Sequence, residues 1–600
     1  MLNGRLYRSA CVPLVLAVVL VAFSLTGRPA GVTSSLAPDA FDGKRASVTL
    51  GEMAARWPRR RPGSTDDEGV ARFVAGHFAT ASAQGGPQGG RAPGAQSTFA
   101  VSDHHFIAST IDGRRSLTTV TAQRPGDSDR QIVLLAHRDA AAPGSRAELS
   151  GTAVLLELAR VLSQRITTHS LTLASTSGGS GGDAGAVDLA RRLDGPVDGA
   201  IVLGDLAGQD AHKPFVMPWS DAPGSAPVGL QRTMGDAIAA EVGTGAGADG
   251  LLAQFVHLAL PFATGEQGIL NAAGLPAVTV QVSGERGPTA AEPVSSERMQ
   301  NFGRAVLRAV GAIDADRRPA SPPEQVMVVV RQILPTWAMR LLVAAALLPA
   351  LVATLDAFAR VRRRRQAVGP WMGWTAACAL PFLACALAAA LLGRVGLLPA
   401  LAAPPPAGVL SPQGGLLAGV IVCLLVLALA WVAWSRAARR LVAGAPPGSA
   451  AAGVAVLAVL EAVAAASWVR DPYTALLLVP AVNLWLLVAA PDLRPPRAAA
   501  MALVVAGIAL PGAVVAVHVH QLGMNPAQAA WTALLLVSGG HIGALSVTLW
   551  SLGLGCLVGA ALLALRGQAA RSPLGPVTVR GPLGYAGPGS LGGTESALRR

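Results

Sequence analysis

Long apolar runs dominate the second half of the sequence. Each run has about twenty residues, the length at which a helix crosses the roughly 30 Å hydrocarbon core of a bilayer. The seven runs are 337–359, 371–393, 413–435, 450–469, 472–491, 498–517 and 543–565. We therefore expect a membrane domain of seven spans over residues 335–567, followed by a disordered, basic cytoplasmic tail at 568–600. Another apolar run, CVPLVLAVVLVAFSLT, follows Arg5 and Arg8 and predicts a retained signal anchor within residues 1–30.

Arginine is distributed unevenly among the loops that join these runs. Every second loop is rich in arginine, through Arg360, Arg362, Arg363, Arg364, Arg365, Arg436, Arg439, Arg440, Arg494 and Arg497. The intervening loops contain only Arg394 and Arg470. Because arginine-rich loops stay in the cytoplasm, we expect a multi-pass protein of the plasma membrane with its N-terminus inside and the lipid bilayer as its partner. Residues 529–565 allow two spans or, as we prefer, one span after a re-entrant or interfacial segment that ends at Gly539 and Gly540.

The formal net charge of +13 does not indicate a nucleic-acid partner. The chain has two lysines, Lys44 and Lys213, few aromatic side chains, and arginines that cluster in short loops. Nucleic-acid binding would need a continuous basic surface on a folded domain. The five cysteines all lie in apolar runs, so the globular region carries no disulfide framework.

Residues 45–315 have an ordinary globular composition. Apolar β-type runs alternate there with amphipathic helical patterns, which predicts an α/β domain outside the cytoplasm, an α/β/α sandwich with a mostly parallel sheet. The predicted strands are 97–101, 116–122, 131–136, 170–175, 199–203 and 277–282. The predicted helices are 65–78, 151–162, 186–193, 229–242 and 296–310. Residues 28–50 are predicted to form a linker.

The strand at 131–136 leads directly to His137 and Asp139, and an apolar helix follows at 151–162. In α/β proteins, ligands bind beyond the carboxyl ends of strands. A histidine oriented by a carboxylate is also a common metal ligand. His137, with Asp139 as its orienting partner, is therefore the first candidate site.

Several segments resemble the di-zinc aminopeptidases of metallopeptidase family 28, in the right order and across residues 50–312. They are RPGS with RFVAGHF, HRDA with PGSRAELSGTAVLLELAR, GGSGGDAGA, IVLGDLAG and NAAGLPAVTVQV. The resemblance implies two zinc ions, five protein ligands and a glutamate as general base. The layout is similar to that of endoplasmic-reticulum membrane metallopeptidases and of the membrane subunit of the glycolipid-anchor transamidase.

Carried over residue by residue, the resemblance leaves an incomplete metal site. His137 and Asp205 stand at two ligand positions. The missing ligands and base would fall at Arg146 or Ala147, near Gly179 and Ser180, and near Pro288. An arginine at the bridging position repels cations, and Glu148 would need a shift of its loop to replace one ligand. Because catalytic zinc usually has three protein ligands, we expect no cofactor or one weakly bound zinc.

Two functions of different classes stay open for the α/β domain. The preferred one is a catalytically impaired pseudo-peptidase that binds a peptide or protein partner outside the cytoplasm. The alternative is an active membrane-bound aminopeptidase with two zinc ions in a rearranged site. A third possibility, transport, rests on Glu461 in the middle of the 450–469 run, because acidic residues are costly inside a bilayer and usually serve a function there.

Overall fold

The computed structural model describes residues 4–34, 37–84, 98–406, 408–442, 450–489 and 495–566. The tail expected at 568–600 lies outside these residues. The N-terminal segment forms α1 (Gly4–Ala10), α2 (Val12–Ser24) and β1 (Thr26–Gly27). The α/β domain follows as α3 (Gly43–Arg56), α4 (Thr65–Gln84), β2 (Ala100–Thr110), β3 (Gly113–Arg124), β4 (Gln131–His137), α5 (Ser150–Leu162), β5 (Ser170–Thr176), α6 (Ala184–Arg192), β6 (Val197–Leu203), β7 (Val216–Met217), α7 (Val228–Val242), α8 (Leu251–Ala259), α9 (Gln267–Ala272), β8 (Ala277–Val280) and α10 (Ser296–Ala315).

A seven-stranded mixed sheet organises this domain, in the order β2-β3-β5-β4-β6-β8-β7. The central strands β5, β4, β6 and β8 are parallel, whereas the outer strands pair antiparallel with their neighbours. The expectation of a mostly parallel sheet was therefore too simple. The main cause is the long hairpin β2–β3, whose turn at Ile111 and Asp112 ends in Gly113 with a φ of 85°, a conformation that glycine adopts without strain.

Two parts of the domain were not predicted correctly. The predicted linker at 28–50 is wrong at its end, because α3 begins at Gly43 and buries Ala46, Leu50 and Met53 on one face. The Asp42 side chain caps this helix by accepting hydrogen bonds from two backbone N–H groups. Strand β2 is longer than expected because its polar outer residues, at the edge of the sheet, hide the alternation that marks a half-buried strand.

Strand β4 lies in the middle of the sheet, and its residues before His137 are all buried. Ile132, Leu134 and Ala136 join one hydrophobic cluster, together with most of α5. Val133 and Leu135 join a second cluster that includes side chains of α6 and α9. Helices thus cover both faces of β4, and its carboxyl end, with His137, is held in a fixed position.

The second half of the chain forms a small hairpin and a bundle of apolar helices. These elements are β9 (Met327–Val329), β10 (Gln332–Leu334), α11 (Thr336–Arg363), α12 (Gly369–Ala377), α13 (Leu380–Val395), α14 (Gly415–Leu441), α15 (Ala450–Arg470), α16 (Pro472–Leu476), α17 (Val479–Ala489), α18 (Arg497–Gly507), α19 (Ala509–Gln521), α20 (Pro526–Ser538) and α21 (Ala544–Arg566). Within the described residues, seven helical segments are long and apolar enough to cross a membrane, one near the N-terminus and six in this half of the chain. The number rises to eight if α18 and α19, bent by 48°, form one span. Helix α20 has 13 residues, about 20 Å, and the re-entrant or interfacial segment expected before Gly539 stays a prediction.

The N-terminal segment is attached to the start of the bundle. Strand β1 pairs antiparallel with β10, with Thr26 opposite Ile333 and Gly27 opposite Gln332. Helices α1 and α2 both pack against α11. The Tyr7 hydroxyl also donates a hydrogen bond of 2.9 Å to Asn483 Oδ1 in α17. The N-terminal segment therefore contacts the start of the bundle in two ways, through the pairing of β1 with β10 and through the packing of α1 and α2 on α11.

The α/β domain rests on one end of the bundle through specific contacts. The Thr474 hydroxyl in α16 donates to the carbonyl of Ala259, the last residue of α8, at 2.9 Å. The Arg286 guanidinium donates to the carbonyls of His520 and Gln521 at the end of α19, at 3.1 and 3.2 Å. These contacts use carbonyls in the last turn of each helix, and the His520 carbonyl also accepts a hydrogen bond from the backbone N–H of Gly523.

Candidate functional site

His137 ends β4, as its position after the apolar run predicts. Its Nδ1 lies 3.1 Å from the backbone oxygen of Asp139 and 3.7 Å from Asp139 Oδ1. The ring is 16% exposed. The His137 carbonyl accepts a hydrogen bond of 2.9 Å from the Thr152 hydroxyl in the first turn of α5. The strand end, the Asp139 turn and the start of α5 therefore fix the imidazole together.

The Asp139 carboxylate holds the glycine-rich loop 178–183. Its oxygens accept hydrogen bonds from the backbone N–H groups of Gly178 at 2.9 Å, Gly179 at 3.1 Å and Ser180 at 3.0 Å. The Ser180 hydroxyl donates to the same carboxylate. Four donors thus converge on one buried carboxylate, and such charge-assisted hydrogen bonds are stronger than neutral ones.

His137 and Asp139 form an ion pair in a buried, acidic environment. Burial by itself lowers the pKa of His137, but the Asp139 carboxylate, together with Glu266 and Glu148, raises that pKa to about 10. Burial alone would raise the pKa of Asp139, but His137 and Ser180 lower it to about 2. The imidazole is therefore protonated at neutral pH, and a metal ion would have to displace this proton in order to bind.

Sequence reasoning missed two further acids, Glu266 and Asp183, that lie close enough to His137 and Asp139 for their charges to interact. Glu266 is 1% exposed, accepts a hydrogen bond of 2.6 Å from the Thr176 hydroxyl, and has no hydrogen-bond partner at Oε2. Burial raises the pKa of Glu266 to about 7. Asp183 is the last residue of the glycine-rich loop and has a φ of 45°, and burial with the nearby acids Glu266 and Asp221 raises its pKa. Neither residue stands at a spacing that would point to His137, because the fold brings them together from distant segments.

The segment in which a bridging acid was expected does not supply one. Arg146 is exposed, and its guanidinium extends to within 3.9 Å of the position that a Cβ on Gly51 of α3 would take. Ala147 is fully buried. Glu148 does lie close enough to influence His137; burial raises the pKa of Glu148, and its Oε2 has no hydrogen-bond partner. Glu148 is thus the residue of this segment that faces the cluster.

Glycine is required at position 179, near which the resemblance would place a catalytic glutamate. A Cβ on Gly179 would lie 2.4 Å from the His137 Cβ and 2.5 Å from its Cγ. No side chain fits at this distance, so the backbone of Gly179 packs directly against the imidazole. The Ser180 hydroxyl donates its hydrogen bond to the Asp139 carboxylate. Neither position can present a carboxylate to a metal ion in this conformation.

Asp205 belongs to a different group of side chains. Its Oδ1 accepts hydrogen bonds from the backbone of Ala207 at 3.0 Å and of Gly208 at 2.7 Å, and lies 3.4 Å from the Ser150 hydroxyl. Its Oδ2 has no hydrogen-bond partner, and both this atom and Glu292 Oε1 border Gly208. Burial raises the pKa of Asp205 to about 6. Its neighbour is therefore a second acid rather than a further metal-binding histidine.

These side chains do not fit the zinc site that the resemblance implies. Among the described residues, no three His, Cys, Asp or Glu side chains converge so that they could hold a metal ion. His137 is a cation, the Asp139 carboxylate is occupied by four donors, and Asp205 caps its own loop. We derive no chemical step through zinc.

Glu461 lies in the middle of α15, and it is buried, with Oε1 lacking a hydrogen-bond partner. The α15 helix packs against α11, α12, α17 and α21, so Glu461 faces the interior of the bundle. A transport role for it stays a prediction.

The Glu266 carboxyl should make the α/β domain less stable as the pH rises. Its pKa is raised from the ordinary value to about 7, so between pH 4.5 and 7 the folded state keeps a proton that the unfolded state releases, and stability falls across this window. At roughly 1.4 kcal/mol per pKa unit, the loss is up to about 3 kcal/mol. In Glu266→Gln, the free energy of unfolding should change less with pH across this window. The measurement is urea unfolding in detergent at pH 4.5, 6 and 8. The control is Glu297→Gln, at an exposed position, which should follow the wild type. Parallel curves for Glu266→Gln and the wild type would contradict the prediction.

No family model and no curated protein matches this sequence. Solved structures resemble a part of it. The glutaminyl cyclase of Porphyromonas gingivalis is 17% identical with a TM-score of 0.35, over 45% of this chain and 97% of that one. A leucine aminopeptidase precursor from Bacteroides thetaiotaomicron is 14% identical with a TM-score of 0.35, over 48% of this chain and 100% of that one. A Zn-dependent exopeptidase from Parabacteroides distasonis is 13% identical with a TM-score of 0.33, over 45% of this chain and 98% of that one. Exopeptidases are the class that the sequence segments resemble, whereas glutaminyl cyclases were not anticipated.

Proposed function

We propose that this chain is a multi-pass protein of the plasma membrane whose α/β domain lies outside the cytoplasm and binds a peptide or protein partner without hydrolysing it. The α/β domain would be a pseudo-peptidase related to metallopeptidase family 28. The observation that carries the proposal is the Asp139 carboxylate, which accepts hydrogen bonds from three backbone N–H groups and the Ser180 hydroxyl. A carboxylate used in this way positions a loop, and within the described residues no three His, Cys, Asp or Glu side chains converge as a metal site would require.

The state of His137 supports the same proposal. A general base or metal ligand must offer a neutral imidazole nitrogen, but the pKa of His137 is raised to about 10 because Asp139, Glu266 and Glu148 stabilise the imidazolium against the effect of burial. The close packing of Gly179 on the ring leaves no room for a catalytic glutamate beside it. The strand end is thus built as a structural ion pair.

One observation favours the second candidate, an active zinc aminopeptidase. Glu266 is buried close enough to His137 for their charges to interact, has an oxygen without a hydrogen-bond partner, and has a pKa raised by burial to about 7. A carboxyl group that titrates near neutral pH suits general acid–base catalysis. This reading would require the site to rearrange, so that Glu266 reached solvent and metal ligands came together.

The distribution of charge along the bundle supports the proposed orientation. Helix α11 begins directly after β10, beside the α/β domain, and its last turn carries Arg360, Arg362 and Arg363. A helix of 28 residues is about 42 Å long, so these arginines lie at the end of the bundle away from the α/β domain. Because arginine-rich ends stay in the cytoplasm, the α/β domain would lie on the other side.

Metal analysis and peptidase assays of the full-length protein in detergent test the proposal. Wild type, His137→Gln and a control, His104→Gln on exposed β2, would be purified with zinc present and tested on a panel of aminoacyl-coumarins. We expect all three to bind much less than one zinc per chain and to show no chelator-sensitive turnover. Stoichiometric zinc and turnover in wild type and His104→Gln, lost in His137→Gln, would overturn the proposal and establish the enzyme.

A further inference from the structure

A proline-rich segment between α13 and α14 lies on the glycine-rich loop at the candidate site. We call residues 398–406, LPALAAPPP, the strap. The backbone N–H of Ala403 donates a hydrogen bond of 2.9 Å to the Gly182 carbonyl. Leu401 and Pro405 pack against the same loop: the Leu401 Cβ is 3.1 Å from the Cβ position of Gly182, and the Pro405 Cβ is 3.8 Å from that of Gly181. The strap, whose backbone bends at Ala402 and Ala403, thus contacts the loop through one backbone hydrogen bond and two apolar side chains.

The loop is held from two sides. Asp139 binds its first half through Gly178, Gly179 and Ser180, and the strap covers Gly181 and Gly182. Ile111, in the turn of the β2–β3 hairpin, also reaches Gly181, with its Cγ2 2.5 Å from the Cβ position. The strap and the hairpin turn together therefore cover the loop whose other side contacts His137.

The strap is in turn attached to the helix bundle. The Ser538 hydroxyl at the end of α20 donates a hydrogen bond of 2.9 Å to the Pro399 carbonyl. The Trp531 indole N–H, also in α20, donates at 3.1 Å to the carbonyl of Leu410, which follows the strap. A displacement of the strap would therefore act on α13, α14 and α20.

We propose that the strap is an intramolecular lid that occupies the binding place of a proline-containing apolar peptide, so that peptide binding and strap closure exclude each other. This regulation rests on the proposed binding function. The chemistry of the competing peptide follows from the strap: a backbone N–H for the Gly182 carbonyl, an aliphatic side chain where Leu401 lies, and a proline where Pro405 lies. Prolines restrict the backbone of such a segment before it binds, which lowers the entropy lost on binding.

The closed position is tested by a disulfide between the strap and the loop. The Cβ positions of Gly181 and Pro405 are 3.8 Å apart, the usual separation in a disulfide. Gly181→Cys/Pro405→Cys, with Ile111→Ala to make room and the five native cysteines replaced by alanine, should cross-link under a mild oxidant. A protease site is inserted at exposed Gln366. After cleavage, the disulfide should hold the two fragments together until a reductant is added. The control pair Gly76→Cys/Pro405→Cys should stay unlinked, because nothing lies within 4 Å of the Gly76 Cβ position.

Lid function is tested with a labelled synthetic peptide of the strap sequence, LPALAAPPP. A variant in which a Gly-Ser segment of equal length replaces the strap should bind this peptide at least about tenfold more tightly, about 1.4 kcal/mol, than the disulfide-locked protein, and reduction of the lock should restore the level of the unlocked protein. A control peptide with glycine in place of the prolines should bind more weakly. Equal binding by open and locked proteins would overturn the lid. If the replacement variant does not fold, Ala403→Pro takes its place, because it removes the N–H that donates to the Gly182 carbonyl. Ala403→Pro should bind the peptide more tightly than the control Ala402→Pro. Equal binding by these two variants would also overturn the lid.

The same samples separate this inference from the proposed function. If the strap-replaced variant bound zinc and cleaved peptides while the locked protein did neither, the lid would stand and the pseudo-peptidase would be wrong. If neither variant turned over substrate and both bound the peptide equally, the lid would be wrong while the absence of catalysis stood.

Discussion

Replacing Arg138 by methionine is expected to destabilise the α/β domain by about 3–5 kcal/mol, the usual cost of removing one partner of a buried ion pair. Arg138 is fully buried, and its Nε lies 2.9 Å from Asp67 Oδ1. Its Nη1 donates to the Ser175 carbonyl at 3.1 Å and its Nη2 to the Thr118 carbonyl at 2.7 Å. One side chain thereby joins α4, β3 and β5, and its loss would leave the buried Asp67 carboxylate without its cationic partner and remove the donors to the two carbonyls.

The measurement is thermal unfolding of the full-length protein in detergent, where this loss corresponds to a decrease in Tm on the order of 10 °C. Arg318→Met is the matched control, because the Arg318 side chain is 78% exposed, and solvent screens its ion pair with Asp316 so that the pair should contribute little to stability. Asp67→Asn in the Arg138→Met background should cost less than the sum of the two single changes, because the two side chains interact directly. Equal Tm values for Arg138→Met and Arg318→Met would show that the ion pair does not stabilise the domain.

Asp139→Asn should have the second large effect, a loss of about 3 kcal/mol. The amide has one acceptor oxygen, and its NH2 group would face a backbone N–H of the 178–183 loop, so at least one buried donor would lose its partner. The same change removes the main anion beside His137, so the pKa of His137 should decrease from about 10 towards its ordinary value. Two properties, stability and titration, should therefore change together.

NMR of protein with labelled histidine rings, with His137→Gln to assign the signal, would follow the titration. In wild type, His137 should stay protonated up to about pH 9, since its pKa is about 10, and in Asp139→Asn it should titrate nearer neutrality. Hydrogen exchange of the 178–183 loop should become faster in the same variant. Asp205→Asn is the control, because Asp205 Oδ2 has no hydrogen-bond partner and Asp205 lies in a different cluster. A wild-type His137 that titrates near pH 6.5 would contradict the ion pair.

The sequence supplied the local parts of this site. The apolar run that ends in His137, the turn at Asp139 and the helix α5 follow from patterns within some thirty residues, and strand geometry places alternate residues on opposite faces. That alternation also explains why Arg138, between His137 and Asp139, belongs to a different network. Its partners Asp67 and Thr118, however, come from other elements, and no periodicity indicates them.

The acidic cluster and the strap were beyond the reach of pattern reasoning for the same reason. Glu266 begins an ordinary short helix, and its position near His137 depends on how β6, β8 and α9 pack. The strap reads as a loop between two apolar runs, and only the packing of α13 and α20 brings it to Gly182. The absence of a metal ligand can be read from a sequence, but the residues that the fold places near His137 and the glycine-rich loop cannot.

The pairing of β1 with β10 has a mechanical consequence. The chain enters the α/β domain after α2 and leaves it before α11, and these two crossing points are joined by backbone hydrogen bonds, including one of 2.9 Å from Arg28 to the Arg331 carbonyl. A domain attached at one point can swivel freely about its linker, whereas a domain attached by two joined strands resists torsion. Any rotation of the α/β domain against the helix bundle must therefore carry α2 and α11 with it, so a torque on the domain would reach the bundle through this pair of helices.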